Sequence, residues 1–250
     1  MAAPAWLTAR PIAHRGYHSR STGRLENTLP AAEAAIAHQF AIECDLQTTA
    51  DNEVVVFHDD TLDRLTELSG PVARLPLAAL RKARFKQGDA QIPTLEELLD
   101  LVDGRVPLII ELKSRFDGDR RLEAATAAIL ASYDGPGAVM SFDPGSMIAM
   151  RQLAPTLPRG MLADRFLATD WPALPPVTRL ACRLLMTAPL VLPSFLAHDV
   201  NALPASAPLA LRHFFRLPIL AWTVRTPAER ATAKAWADQI IFEDIDPDAG

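Results

Sequence analysis

Cysteine is nearly missing from this chain. Only Cys44 and Cys182 occur among 250 residues, with no metal-ligand spacing between them, which excludes a disulfide-rich secreted scaffold and a thiolate zinc site and predicts two reduced, buried thiols. Basic excess is missing too. The net charge of −5 and isoelectric point near 5.7 argue against a nucleic-acid partner, which clustered Lys and Arg would serve, while a local basic pair can still receive a small anion. No apolar run reaches the roughly 18 residues of a membrane span before Pro or Arg interrupts it. Residues 1–10 lack a charged stretch followed by an apolar one, so the expectation is a cytoplasmic protein without a transmembrane segment. Solenoid repeats and low-complexity tracts are absent, and the Pro-rich stretch at 172–176 reads as a loop entering a helix.

Hydrophobic material is plentiful at 49%, and its arrangement predicts the fold. Apolar strands are expected at 10–13, 41–46, 107–112, 138–142, 159–163, 195–197, 218–224 and 239–242, with 190–192 competing for the sixth. Helical stretches fall between them, near 120–132, 145–153, 171–187, 201–215 and 227–237. An earlier helix runs to Ala37 from a cap at Asn27 or Thr28, with Pro30 in its first turn. Another covers 94–102, where Thr94 and Glu97 match a capping box. The run 53–58 pairs with 41–46 as a hairpin across Asp51-Asn52. Eight strand–helix steps predict parallel strands closed into a single-domain α/β barrel. The irregular stretch 59–91, with a short basic helix near 77–84, reads as an insertion after the second strand.

The strand 41–46 carries two acids. Side chains alternate faces along a strand, so Glu43 and Asp45 point one way and Ile42, Cys44 and Leu46 the other. On an exposed strand both acids face water. In a poorly solvated site they need a cation between them, or one must keep its proton. Hard oxygen donors at this spacing suit Mg²⁺ or Ca²⁺. The strand 108–113 repeats the arrangement with Glu111, a third carboxylate, and Lys113, which can meet an anionic group. A surface ion pair is the alternative, but lone charges on a buried parallel strand are hard to satisfy. His14 and His58 each follow an apolar strand and precede a turn, beside Arg15 and Asp59, and as a pair they suit acid and base work around a metal. These residues, with Asp143 and Trp222, lie at or near strand C-terminal ends, where chemistry collects in such a barrel. His18, His38, His198 and His213 read as loop or helix residues, structural or solvent-facing.

Together, His14-Arg15-Gly16, Glu26-Asn27-Thr28, Glu43-Cys44-Asp45, the run from Val56 through His58-Asp59 to Thr66, Ile110-Glu111-Leu112-Lys113 and Leu220-Ala221-Trp222-Thr223-Val224 closely resemble the signature of the glycerophosphodiester phosphodiesterase family over residues 12–244. The resemblance implies a TIM (β/α)8 barrel with a small insertion after the second strand. It implies that Glu43, Asp45 and Glu111 hold one divalent cation, Mg²⁺ or Ca²⁺, and that His14 and His58 act as general acid and base in an order the sequence does not set. Arg15 and Lys113 would contact the phosphate, Trp222 would line the glycerol pocket, and Glu26 and Asn27 would add supporting polar contacts. The implied reaction is metal-dependent hydrolysis of a small-molecule glycerophosphodiester to glycerol 3-phosphate and an alcohol through a cyclic phosphate; a homo-oligomer is compatible with it. Leu25, the 38–40 run His-Gln-Phe, Arg225 and the ending Phe242-Glu243-Asp244 depart from the family pattern and bear on substrate preference. A lysophospholipase D-like enzyme is the second reading, and an apolar surface along 62–80 would favour it. A non-catalytic phosphodiester-binding barrel is the third. Retention of both histidines, three acids and the lysine argues against that one.

Overall fold

Strand formation follows the β-branched and leucine runs that Pro and Gly interrupt. In the computed structural model, which describes residues 2–19 and 22–248, the strands are β1 Ile12–Ala13, β2 Ala41–Thr48, β3 Val54–Val56, β4 Leu108–Leu112, β5 Gly137–Ser141, β6 Arg159–Ala163, β7 Phe195–Asp199, β8 Ile219–Val224 and β9 Gln239–Phe242. All except β3 are parallel to their neighbours, in the order β1-β9-β8-β7-β6-β5-β4-β2. The sheet closes where β1 pairs with both β2 and β9. This is a TIM barrel, as expected. β3 lies antiparallel on β2 as the hairpin partner.

The helices are α1 Leu29–Ala37, α2 Leu77–Leu80, α3 Leu95–Val102, α4 Arg121–Leu130, α5 Pro144–Leu153, α6 Pro176–Arg183, α7 Ala188–Val191, α8 Ser206–Phe215 and α9 Pro227–Trp236. Thr94 and Glu97 close a reciprocal capping box on α3. Three expectations need correction. The helix at 171–187 shrinks to α6, because Pro175 and Pro176 place its start late and Pro is favoured only in the first turn. The strand candidate at 190–192 lies at the end of α7. The helix at 201–215 begins only at Ser206, after Pro204, which offers no amide hydrogen to a helix interior.

Alternation along the strands sorts the core into two layers. Ile42, Cys44, Leu46, Leu108, Ile110, Leu112, Ile219 and Ala221 face the helices. Ile12, Ala41, Ile109, Met140, Leu162, Phe195, Leu220 and Ile241 fill the barrel. Both cysteines are free and buried. The stretch between β3 and α3 has a core of its own from Leu62, Val72, Leu80, Phe85 and Ile92 packed on Val55 and Phe57. Leu62, Val72 and Leu80 are fully buried there, while Leu68 is exposed. No helix among the described residues is long and apolar enough to cross a membrane.

One barrel layer depends on a glycine. Gly160 pairs directly with Phe195, and a methyl group there would stand 2.3 Å from the Phe195 ring. The ring is fully buried, so it can yield only if its neighbours in the barrel shift with it. Gly160→Ala is expected to destabilise the fold by roughly 1–3 kcal/mol, the usual scale of overpacking; chemical denaturation giving equal stability would show that this layer is not close-packed.

Candidate active site

Strand parity aims the functional side chains. Glu43 and Asp45 share the face of Ala41, Glu111 and Lys113 that of Ile109, and Trp222 that of Leu220, so each continues a core column to the open end of the barrel. Asp45 and Glu111 are register partners. One carboxylate oxygen from each of Glu43, Asp45 and Glu111 lies within 4.8 Å of the others. Glu43 and Asp45 are each only 1% exposed, which rules out the solvent-facing strand.

The turn at His14-Arg15-Gly16 supports this cluster through the backbone. Arg15 N–H donates to Glu43 Oε2 at 2.9 Å, and Gly16 N–H donates to the Glu43 carbonyl at 3.1 Å. Gly16 has φ of +77°, and a Cβ there would meet the Ala31 carbonyl carbon at 2.9 Å, so only glycine fits. Asn27 Nδ2 donates to Asp45 Oδ2 at 2.8 Å, and the Asp45 amide donates back to Asn27 Oδ1 at 3.2 Å. Lys113 Nζ stands 3.0 Å from Glu111 and 3.5 Å from Asp45. Arg15 Nε lies 3.4 Å from Asp45 Oδ2, and its Nη1 donates to Glu26 at 2.6 Å.

These contacts divide the acids electrostatically. Burial, then the charges of Asp45 and Glu111, push Glu43 well above the ordinary carboxylate range. Glu111 is raised by burial, against the pull of Lys113. Burial also opposes charge on Asp45, but Lys113, His58, Arg15 and His14 outweigh it and hold Asp45 low. Lys113 stays above its usual range because Glu111 and Asp45 overcome the cost of its burial. Asp45 Oδ1 has no hydrogen-bond donor among the described residues. Three clustered carboxylates, one with an oxygen that receives no hydrogen bond among the described residues and one that resists ionising, are a donor set that a hard divalent cation fits.

Two histidines flank the acids. His14 Nε2 lies 3.8 Å from Glu43 Oε2 and its Nδ1 is 3.1 Å from Glu243 Oε2. Burial first, then Arg15, lowers the His14 pKa to about 4, against the pull of Glu243 and Asp45. Glu243 is held at about 2, because His14, Arg225 and His18 outweigh its burial. At neutral pH a carboxylate can only accept, so the neutral ring must carry its proton on Nδ1 and present a lone pair at Nε2. His58 Nδ1 lies 2.7 Å from Asp59 Oδ1. Arg64 then clamps Asp59, at 2.5 and 2.9 Å, and Glu26, at 2.9 and 2.6 Å. A continuous ionic chain therefore runs from His58 through Asp59, Arg64, Glu26 and Arg15 to Asp45.

An aromatic wall closes one side. Phe142 packs edge-on against Trp222 with centroids 5.6 Å apart and meets Trp171 at 5.0 Å. Trp222 Nε1 is buried with no acceptor among the described residues. Asp143, expected at this end, is drawn away to Ser114 at 2.6 Å and Arg120 at 2.9 Å, and its other oxygen caps α5 through Gly145. Reading the sequence overlooked Glu243 and Arg64 and misplaced one histidine. His198 belongs to β7 and is 2% exposed; its parity with Leu196 turns it away from the barrel interior. His18 is in a loop, but its side chain is 9% exposed and sits 3.7 Å from Glu243 Oε1.

Similarity to known proteins follows the same residues. The model of the "Glycerophosphoryl diester phosphodiesterase family" matches residues 14–247. YhdW of Bacillus subtilis is 34% identical over 160 residues, covering 60% of this chain and 64% of that protein. The glycerophosphodiester phosphodiesterase of Caldanaerobacter subterraneus is 33% identical over 170 residues, covering 64% and 69%. The match thus spans less than two thirds of YhdW and of two Mycobacterium tuberculosis relatives. In fold, the chain superposes on an Oleispira antarctica phosphodiesterase, solved with the product sn-glycerol-3-phosphate, with a TM-score of 0.77 at 22% identity, covering 94% of this chain and 92% of that one.

Proposed function

We propose that this chain, which belongs to the glycerophosphoryl diester phosphodiesterase family, hydrolyses small glycerophosphodiesters to glycerol 3-phosphate and an alcohol with one divalent cation and two histidines. The observation that carries this reading is the convergence of three buried carboxylates between His14 and His58, each histidine being held at its far nitrogen by an acid. The structural neighbour solved with sn-glycerol-3-phosphate supports the product side.

Glu43, Asp45 and Glu111 would hold Mg²⁺ or Ca²⁺. When bound, the ion supplies positive charge to a phosphoryl oxygen. Arg15 and Lys113 bring further cations to the same place, already fixed by their acids, so little reorganisation is needed as negative charge builds in the transition state. Trp222 offers its unpartnered indole N–H and an apolar face to the glycerol portion. Asn27 orients Asp45, and Glu26 orients Arg15.

The glycerol 2-hydroxyl is the nucleophile of the first step. Being part of the substrate, it gains the advantage of an intramolecular attacker, whose effective concentration reaches roughly 10⁵ M or more when well oriented. One histidine accepts its proton while the other protonates the departing alkoxide; the resulting cyclic phosphate is then opened by water with the two roles exchanged. Glu243 and Asp59 keep the imidazoles oriented and stabilise each as it becomes positive.

The direct test is release of glycerol 3-phosphate from glycerophosphocholine by protein stripped with EDTA, then supplied with Mg²⁺ or Ca²⁺. Activity that vanishes on chelation and returns with metal is the expected result. Inactivity with either ion, combined with choline release from a lysolipid, would replace this substrate class by the lysophospholipase D reading.

A further inference from the structure

We propose that His14, His18 and Glu243 form a second metal site, suited to Zn²⁺, directly behind the catalytic face of His14, and that filling it stops turnover. The site stands on geometry alone; only its effect on turnover rests on the proposed phosphodiesterase reaction.

The donor set is compact. One ligand atom from each residue lies within 4.8 Å of the others, with Glu243 Oε2 3.1 Å from His14 Nδ1 and Glu243 Oε1 3.7 Å from His18 Nε2. His18 supplies an independent sign of a missing partner. Its side chain is 9% exposed, yet Nε2 has no hydrogen-bond partner among the described residues, and a buried polar atom left so costs stability unless something binds it.

Donor chemistry separates this site from the carboxylate trio. Two imidazoles and one carboxylate are borderline ligands that favour Zn²⁺ or Co²⁺, while three carboxylates favour Mg²⁺ or Ca²⁺. Three protein ligands leave one coordination position for water, the usual arrangement in an accessible zinc site. Zinc bonds of about 2.0–2.2 Å bring tetrahedral ligands to roughly 3.4 Å apart, close to the 3.1 Å and 3.7 Å at which Glu243 now stands from His14 and His18. Arg225 shares Glu243 Oε2 at 2.7 Å, but its side chain is 46% exposed and can swing into water. A cavity of about 310 Å³ bordered by His18, Glu26, Arg64 and Glu243 gives the ion its entry path.

The consequence for His14 follows from its tautomer. A metal on Nδ1 displaces the proton shared with Glu243, and the neutral ring must then carry its proton on Nε2, the nitrogen nearest Glu43. His14 can still donate there, but it can no longer accept. A two-step reaction in which each histidine must do both is blocked.

The test uses the full chain, stripped with EDTA and loaded with excess Mg²⁺, titrated with Zn²⁺ by calorimetry. The wild type is expected to bind one Zn²⁺, and His18→Asn to bind it about tenfold or more weakly, since even partners behind a ligand are worth 10–100-fold. Equal affinity in both proteins overturns the site. Imidazole nitrogen resonances provide a check on the wild type alone: those of His14 and His18 should move with Zn²⁺ and not with Mg²⁺, and a stationary His18 signal also overturns it. Zn²⁺ should suppress Mg²⁺-supported hydrolysis in the wild type and spare His18→Asn, whose activity in Mg²⁺ alone is unchanged. Equal inhibition of the two overturns the regulatory effect. Absence of hydrolysis with any metal overturns the phosphodiesterase reading, while calorimetry and the resonances still decide the site.

Discussion

Glu43→Gln is expected to abolish metal-dependent hydrolysis while making the metal-free protein more stable than the wild type. The two effects have one cause. Without a cation, Glu43 is buried beside Asp45 and Glu111, and its ionisation is disfavoured first by burial and then by those two charges. A carboxyl whose folded pKa is raised contributes stability that is full below its unfolded value, near 4.5, and is lost as pH rises through the folded value. At neutral pH the metal-free wild type therefore carries a penalty that glutamine removes, and the glutamine oxygen can still accept the Arg15 amide. With Mg²⁺ or Ca²⁺ the order should reverse, because the wild type gains ligand-linked stability and the variant, missing one of three carboxylates, loses affinity by roughly 100-fold or more, beyond the cost of losing an outer partner. Thermal unfolding with and without metal, joined to calorimetry, reads both effects. Unchanged cation affinity in Glu43→Gln would remove Glu43 from the ligand set.

What the sequence discloses here is set by how local each signal is. Glu43 with Asp45, and Glu111 with Lys113, announce themselves because parity places both members of each pair on one face within a single strand. The same rule reaches Glu243 from Ile241, which fills the barrel interior, but ending the last strand at Phe242 stops it one residue short. Arg64 has no such signal. Its partners Asp59 and Glu26 are separated by β2 and its hairpin, and only the folded stretch after β3 brings the guanidinium over both. His18 looks like an ordinary polar-loop residue until Glu243 arrives from the last strand to bury it. His198 shows the opposite error, where two more residues of β7 turn an expected loop histidine into a buried strand residue. Helix boundaries fail at prolines, where the interior penalty overrides the apolar periodicity that extends across them.

His14→Ala and His58→Ala should each lower kcat by roughly 10²–10⁴-fold, the scale of losing a general acid or base, with unfolding temperatures near that of the wild type because each ring is held by one side-chain partner at the barrel mouth and neither belongs to the apolar core. Two further comparisons separate catalysis from simple damage. In the double variant the loss should fall well short of the product of the single losses, since on the proposed mechanism the histidines serve the same transition states in paired roles and groups acting as a unit are not additive. A multiplicative loss would mean that they act in independent steps. A glycerol diester with a nitrophenolate leaving group then assigns the roles in ring closure. That leaving group departs without a proton, so the variant lacking the first-step acid should recover most of its rate of nitrophenolate release, and the variant lacking the first-step base should remain slow. Both rings commit Nδ1 to a carboxylate, so the tautomers alone do not tell them apart, but burial keeps His14 neutral with a lone pair at Nε2, which suits it to the role of base on the proposed mechanism and leaves that of acid to His58. Recovery is therefore expected in His58→Ala. Recovery in His14→Ala instead would reverse the assignment.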